Sequence, residues 1–215
     1  MERIYCVLIG YAFGLFQTAY IYGRLHGIDI REYGSGNAGT TNTLRILGKK
    51  AGFIVLAGDI LKCILAVVTV RLLFGRSHQD MGYLLALYAA TGAILGHNFP
   101  FYLKFKGGKG IAATGGLILS FHWIFIVVEV PLFLAVFFLS HYVSLGSLLV
   151  YAVFMIELII GGQCGLFGMS QRYLNEMYLV GAFLTLMAFY KHRENIKRLL
   201  KGEERKTYLF KKSEQ

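Results

Sequence analysis

Charged residues are scarce in this sequence. They make up 16% of its 215 residues, whereas a soluble domain carries roughly 25%. Hydrophobic residues make up 56% and stand in long blocks rather than in alternation. This shortage of charge argues against a soluble domain and places the chain among integral membrane proteins, whose length is best counted in membrane spans.

Cysteine is also rare, and two common motifs are missing. The three cysteines, Cys6, Cys63 and Cys164, form no C-x-x-C pair, which argues against a disulfide framework or a cysteine metal site. No G-x-x-x-x-G-K-[ST] segment is present, so the sequence argues against a nucleotide-hydrolysing P-loop protein. The N-terminal apolar run is too long for a signal peptide, so we expect it to be retained as a span.

Positive charge, by contrast, is plentiful and unevenly distributed. The net charge is +10, and the basic residues lie between and after the apolar blocks, which points to membrane topology rather than nucleic-acid binding. Of the 22 Lys and Arg residues, five lie in 24–50, three in 100–110 and nine in the basic tail 191–215. The positive-inside rule places all three segments in the cytoplasm.

The apolar blocks predict the membrane spans. The block 111–140 would make about 45 Å of helix, too long for one upright span. If it crossed only once, nine basic residues would lie outside, so we predict two short or tilted helices that turn near His122 and Trp123. The other predicted spans are 4–23, 51–74, 81–99, 147–162 and 173–190.

The predicted architecture is therefore an all-α integral membrane protein. It has about seven transmembrane helices, of which the fourth and fifth are short or tilted. The N-terminus lies outside and the C-terminus in the cytoplasm. Residues 1–215 form a single polytopic membrane domain, whose tail continues as an interfacial helix and then frays.

The first polar loop, 24–50, contains GSGNAGTTNTLR from Gly34 to Arg45. Its glycines allow positive φ and expose backbone N–H groups, which can form an anion-binding concavity. The polar residues that follow favour a short helix from Thr41 to Leu47 that ends at Gly48 and points its N-terminus at the loop. Arg45 could then grip an oxyanion. The alternative is an ordinary flexible turn.

Three further segments carry candidate site residues. The loop 100–110 places glycines around Lys106 and Lys109, where the lysines either bind an anion or only anchor the loop at the membrane. The segment after the last span puts His192 and Asn195 on one helix face, unless it is only a basic tail on anionic lipid. Ser144, in the S-L-G-S segment, either donates to a phosphate or caps a helix.

Asp59 and Lys62 are separated by three positions within a predicted span. An isolated charge in lipid is costly, so the two residues either pair with each other for structural reasons or face the interior as part of a site. The sequence leaves both possibilities open.

Taken together, these segments resemble a known family. GSGNAGTTNTLR, GHNFPFYLKFKGGKGIAAT and HRENIKRLLKGEE are similar, in order and spacing, to the three signature motifs of the bacterial acyl-phosphate:glycerol-3-phosphate acyltransferases of the PlsY type. The resemblance covers nearly the whole chain and includes S-L-G-S and the D-x-x-K of the second span. Cys63 departs from it, since glycine is expected after the lysine, and this puts the local packing in doubt.

The resemblance implies a reaction and its participants. A fatty acyl group passes from acyl phosphate to the 1-hydroxyl of sn-glycerol 3-phosphate, which gives lysophosphatidic acid and phosphate as the first acylation of phospholipid synthesis. The implied location is the bacterial inner or plasma membrane with the site facing the cytoplasm. Implied partners are the bilayer and the upstream enzyme that makes acyl phosphate. No metal, cofactor or covalent acyl-enzyme is expected.

The resemblance also distributes roles among the candidate residues. Ser35, Arg45, Lys106, His192 and Asn195 are the expected catalytic group. The general base is open between His97, His192 and the phosphate oxygen of the donor, and we favour the last. The expected acyl-phosphate ligands are Ser35, Gly36, Asn37, Gly39, Thr40, Thr41 and Asn42, and the expected glycerol-3-phosphate ligands are Arg45, Lys106, Lys109, Ser144, His192 and Asn195, with Ser147 as a further candidate.

Two rival functions are an acyl-CoA-dependent acyltransferase and a transporter. Acyl-CoA-dependent acyltransferases typically carry H-x-x-x-x-D, and no aspartate lies five residues after any of the six histidines. A transporter for an anionic lipid precursor would explain a basic cavity and intramembrane charges. However, the polar motifs gather at one face rather than at the membrane midplane, and no repeated halves are visible.

Overall fold

The structure, a computed structural model, describes residues 1–209 and contains no strand within that range. Residues 210–215 of the predicted basic tail lie outside the described part. The helices are α1 (Glu2–Gly14), α2 (Thr18–Leu25), α3 (Thr40–Phe74), α4 (Gly82–Asn98), α5 (Ile111–Phe121), α6 (Trp123–Ser140), α7 (Val143–Gln163), α8 (Gln171–Lys191) and α9 (Arg193–Leu200).

The first predicted span, 4–23, falls within Glu2–Leu25, a segment long and apolar enough to cross a membrane, in which residues 15–17 separate α1 from α2. The break frees backbone carbonyl groups that polar side chains then satisfy. The Gln17 side-chain amide donates to the carbonyls of Gly14 and Gly96 at 3.1 and 3.0 Å. Lys62 donates to the Phe16 carbonyl at 2.8 Å. Such partners are needed because no water is available inside a bilayer.

Close contact between α1 and α4 forms the centre of the bundle. A Cβ atom at Gly10 or Gly14 would collide with the backbone of Ala89 or Ala93, and one at Gly92 or Gly96 would collide with the backbone of α1. The small residues at four-residue spacing therefore let two backbones approach closely. Cys63, the departure from the family pattern, is buried in the core where α3 passes Gly116 of α5.

The long helix α3 bends at Gly48, where φ is 84°. Only glycine adopts this backbone conformation without strain. The prediction of a short helix that ends at Gly48 is therefore confirmed, although that helix begins at Thr40 rather than Thr41.

The block 111–140 turns at His122, as predicted. α5 has 11 residues, about 17 Å of helix, which is shorter than the hydrocarbon core. Its last carbonyl, that of Phe121, accepts a hydrogen bond from Arg71 at 2.7 Å. On the other side of the turn, His122 Nδ1 accepts a hydrogen bond from the N–H of Ile124 at 3.3 Å and caps α6.

Four segments are long and apolar enough to cross a membrane: the α1–α2 pair, α3, α6 and α7. α4 and α8 occupy the predicted spans 81–99 and 173–190 to within two residues at each end, and α7 begins four residues before the predicted 147. The prediction of an all-helical membrane protein is thus confirmed, whereas about seven crossings and the orientation of the termini stay predictions.

Candidate active site

A cavity of about 460 Å³ lies where four helices begin. The first residues of α3, α5, α7 and α9 all line it. Two of the N-cap residues are glycines, Gly39 and Gly110, and the side chains of the other two, Tyr142 and His192, accept no hydrogen bond from their helix. The first N–H groups of a helix have no intrahelical partner and carry partial positive charge. Their convergence makes the cavity a site for anions.

The glycine-rich loop forms one wall of the cavity. Asn42 holds the loop in shape: its Oδ1 accepts from the N–H of Ser35 at 2.9 Å, and its Nδ2 donates to the carbonyls of Ile30 and Tyr33 at 3.1 and 3.0 Å. Asn42 therefore organises the loop with both ends of its amide. The buried hydroxyl of Thr40, in contrast, has no partner among the described residues and remains available to a ligand.

The second loop rests on the end of α4. Gly107 and Gly108 donate backbone hydrogen bonds to the carbonyls of Asn98 and His97 at 3.3 and 3.1 Å. A Cβ atom at Gly108 would collide with Nε2 of His97, so glycine is required for this approach. This contact places Lys109 just before the N-terminus of α5, where its side chain lines the cavity.

Lys109 and Asn195 connect the second loop with the third motif. The Lys109 ammonium donates to Oδ1 of Asn195. Nδ2 of Asn195 donates in turn to Glu204 Oε1 at 2.7 Å, and Ser144 donates to the same oxygen at 3.1 Å. Burial, with a further contribution from the positive Arg198, lowers the pKa of Lys109 to about 8. Lys109 therefore becomes neutral more readily than an exposed lysine.

His192 lies at the junction of α8 and α9 and is buried. Burial lowers its pKa to about 4, and the positive Lys109 acts in the same direction. Nδ1 lies 2.8 Å from the Ala188 carbonyl and must be the donor, so Nε2 keeps the lone pair in the neutral ring. The sequence-based preference for the donor phosphate as base assumes that bound phosphates keep a histidine protonated, whereas burial at this position opposes protonation of His192.

The structure gathers nearly all the predicted site residues around the cavity and excludes one. The exception is Lys106, whose side chain is exposed and does not line the cavity. The preceding residues Lys104 and Phe105 have φ of 55° and 59°, and this turn directs Lys106 outward. The predicted residues that line the cavity are Ser35, Gly36, Asn37, Gly39, Thr40, Thr41, Asn42, Arg45, His97, Lys109, Ser144, Ser147, His192 and Asn195.

Asp59 and Lys62 form the pair that the sequence left open. Their side chains lie 2.8 Å apart and are buried, and Lys62 is also 2.9 Å from Nδ1 of His97. Asp59 accepts a further hydrogen bond from Thr18 at 3.1 Å. Because Asp59 and His97 both line the cavity, the pair contributes to its floor as well as to packing. In the sequence, the D-x-x-K spacing of Asp59 and Lys62 is the pattern that pointed to this pair.

The tail contributes residues that the sequence reasoning missed. We predicted that it frays after its helix, but residues 203–209 fold back and pack on the bundle. Glu204 and Arg205 line the cavity, and Glu204 accepts from Arg198 at 2.8 Å. Glu204 is the last residue of the third motif, which offered a signal for it, whereas no sequence pattern indicates Arg205, whose partner Arg45 lies 160 positions away.

The glycerol-3-phosphate acyltransferase family model matches residues 4–202. Glycerol-3-phosphate acyltransferases of Clostridioides difficile and Bacillus subtilis are each 39% identical to this chain over 205 residues, and cover at least 93% of both chains. Among solved structures, PlsY (YgiH) in its glycerol 3-phosphate form is similar, with 28% identity and a TM-score of 0.82 over 98% of this chain and 100% of that one. A structure of its lysophosphatidic acid form gives 0.79.

The order and spacing of the motifs, the anion-binding cavity formed by helix N-termini and the matches along nearly the full length thus agree. This chain is an integral membrane protein of the glycerol-3-phosphate acyltransferase family, PlsY type.

Proposed function

We propose that this acyltransferase takes its acyl group from acyl phosphate and transfers it to the 1-hydroxyl of sn-glycerol 3-phosphate. The products are lysophosphatidic acid and inorganic phosphate, and the reaction is the first acylation of phospholipid synthesis. Both substrates are phosphate anions, so the observation that carries the proposal is the convergence of four helix N-termini on one cavity.

Two groups of donors could hold the two phosphates side by side. The glycine loop and the N-terminus of α3, with the unpartnered hydroxyl of Thr40, would hold the acyl phosphate. Arg45, Lys109 and Asn195 would hold glycerol 3-phosphate, since two cationic side chains and an amide from three elements meet there. Holding both substrates at fixed positions removes much of the entropic barrier of a bimolecular step.

The chemistry needs little help beyond positioning and charge stabilisation. The 1-hydroxyl oxygen attacks the acyl carbonyl carbon, and the new ester C–O bond forms as the bond from the carbonyl carbon to the phosphate oxygen breaks. The hydroxyl proton passes to a phosphate oxygen of the donor, and that phosphate group leaves as inorganic phosphate. Helix N–H groups near the carbonyl would stabilise the oxyanion that develops during attack.

We propose the phosphate of the donor as the base, in preference to either histidine. Nδ1 of His97 lies 2.9 Å from Lys62 and 3.6 Å from Asp59, so that nitrogen is engaged by the buried pair rather than free to take a substrate proton. His192 is neutral with its Nε2 unprotonated, but a pKa of about 4 makes it a weak base at neutral pH. His192 then serves to orient glycerol 3-phosphate.

We further propose that the cavity faces the cytoplasm of a bacterial cell. The basic loops and tail all lie at the end of the bundle where the cavity is found, and the positive-inside rule assigns that end to the cytoplasm. Counting the α1–α2 pair as one crossing, seven passes would place the N-terminus outside. The upstream enzyme that makes acyl phosphate would then act on the same side.

The donor assignment is tested with purified protein and two donors. Phosphate release from palmitoyl phosphate should depend on glycerol 3-phosphate, and palmitoyl-CoA should support no ester formation. Thr40→Val, which removes the unpartnered hydroxyl, should raise the KM for palmitoyl phosphate, whereas Thr185→Val, far from the cavity, should not. Turnover with CoA alone would overturn the donor assignment, and uptake of glycerol 3-phosphate into vesicles without turnover would favour a transporter.

A further inference from the structure

Residues 203–209, here called the strap, lie beyond the part of the chain that the family model matches. The strap crosses one side of the cavity and is fixed at both ends. At its start, Glu204 accepts hydrogen bonds from Ser144 and Asn195 at 3.1 and 2.7 Å. Near its end, the N–H of Thr207 donates to the His141 carbonyl at 2.9 Å, and the ring of Tyr208 packs on that of His141.

Between these two anchors the strap holds Arg45. Nη2 of Arg45 donates to the Thr207 hydroxyl at 2.8 Å and to the Arg205 carbonyl at 3.2 Å. Thr207 is buried, whereas Arg45 itself is exposed at the rim of the cavity. Nε and Nη1 of Arg45 make no hydrogen bond to any residue in 1–209, so two of its three nitrogens remain available to an anion.

The strap restrains a side chain, Arg45, that its own helix leaves unrestrained. Arg45 lies on the exposed side of the short first segment of α3, where a long side chain is free to sample many rotamers. Ordering it when substrate binds would weaken that binding. The Thr207 hydroxyl and the Arg205 carbonyl restrain the guanidinium of Arg45 through its Nη2. Both oxygens are uncharged, so the positive charge of Arg45 stays available to a phosphate.

We propose that Thr207 is a positioning residue for glycerol 3-phosphate binding, because its hydroxyl orients Arg45 at the rim of the cavity. The inference rests on the proposed binding role of Arg45. It predicts that the strap acts on the affinity for the glycerol phosphate and not on the chemical step. Neither the family match nor the predicted motifs assign a role to this residue.

The test compares Thr207→Val, which removes the hydroxyl at nearly constant shape, with Thr207→Ser, which keeps it. Full-length variants are purified, and KM for glycerol 3-phosphate is measured with whichever donor the wild type uses. We expect KM to rise about three- to tenfold in Thr207→Val, less than for loss of a direct charge-assisted contact to substrate, because only the orientation of Arg45 is lost. kcat should stay within about twofold, and Thr207→Ser should match the wild type.

A double-mutant cycle separates positioning from general support of the fold. In an Arg45→Gln background, Thr207→Val should change KM no further, because the residue through which it acts is gone. Thr185→Val is the matched control, since its hydroxyl bonds to carbonyls within the bundle away from the cavity. Equal KM values for Thr207→Val and wild type, equal damage from valine and serine, or additive effects with Arg45→Gln would each overturn the proposal.

A binding measurement keeps this proposal distinct from the proposed donor. Glycerol 3-phosphate alone should raise the unfolding temperature of the wild type and of Thr207→Ser, and do so less at equal concentration for Thr207→Val. This result needs no acyl donor. Failure of acyl phosphate as donor would therefore leave the strap proposal standing, whereas an identical shift in all three proteins would refute it.

Discussion

Arg45 is the predicted site residue whose surroundings in the structure are most informative. It supplies a guanidinium to the rim of the cavity, and two of its nitrogens make no hydrogen bond within residues 1–209. Arg45→Ala should weaken the use of glycerol 3-phosphate by more than about tenfold, because a charge-assisted contact is worth roughly 1.5–3 kcal/mol. The measurement is kcat/KM for glycerol 3-phosphate at saturating donor, and an unchanged value would remove Arg45 from the site.

Lys109 should give the reaction an alkaline limit. Its pKa, lowered from 10.5 to about 8 by burial and neighbouring cations, means that its charge is present below pH 8 and lost above it. kcat/KM for glycerol 3-phosphate reports the free enzyme and should therefore fall as pH rises through about 8. kcat should hold to higher pH, because a bound phosphate favours the charged amine.

Lys109→Arg provides the comparison for this pH profile. Arginine stays protonated throughout the accessible range, so the alkaline decline should move to higher pH even if the variant is slower overall. The same decline in the variant and the wild type would show that another group sets the limit.

At the scale of single residues, the sequence identified the polar side chains near the site, but not which of them face the cavity and which support a loop. Asn42 was predicted to bind acyl phosphate, and that role stays a prediction, but both ends of its amide hold the glycine loop. Lys106 and Lys109 looked equivalent in the sequence, and only the turn at Lys104 and Phe105 separates them. Such distinctions depend on where a loop directs its side chains, which composition does not encode.

At the scale of the helices, the break between α1 and α2 is stabilised by a buried charged side chain, that of Lys62. Lys62 of α3 bonds to the Phe16 carbonyl, to Asp59 and to His97, so it stabilises three elements at once. Lys62→Met would remove the cationic partner of the buried Asp59 carboxyl group. We expect the free energy of unfolding to fall by about 3–5 kcal/mol, the usual effect of removing one partner of a buried ion pair.

The measurement is denaturant unfolding in a detergent micelle. Lys50→Met, the same change at an exposed position on the same helix, serves as the control and should change stability little. The double variant Asp59→Asn, Lys62→Met should recover part of the loss, since it also replaces the carboxyl group that loses its partner. A Lys62→Met protein as stable as the control would mean that the pair does not support the break.

Helix positions followed from the sequence wherever they depended on local pattern. Apolar length predicted the spans, and Gly48 and His122 marked the bend in α3 and the turn between α5 and α6. The break in the first span was missed because its carbonyls are satisfied by Gln17 and Lys62, and the latter is 46 positions away from Phe16. The strap was missed for the same reason, as its partners Ser144 and Arg45 are 60 and 162 positions distant.

For the whole molecule, the topology proposal requires the cavity and the α7–α8 connection to face opposite sides of the membrane. Cys164 is exposed in that connection, and Cys6 and Cys63 are buried, so the chain carries a natural probe for the outer side. In intact cells, a membrane-impermeant maleimide should label Cys164. Lys201→Cys in a Cys164→Ser background should be labelled only after permeabilisation. Labelling of both positions from outside would refute the proposed orientation and separate the cavity from cytoplasmic substrates.

The cavity also has a consequence for biosynthesis, because its walls come from both ends of the chain. Arg45 meets Thr207 across 162 positions, and Lys109 meets Asn195 across 86. A ribosome makes the glycine loop early and the residues that complete the pocket near the end. While the chain is being inserted, each nascent copy lacks the wall formed by α9 and the strap, so binding that depends on His192 and Asn195 begins only when translation has passed the final helix.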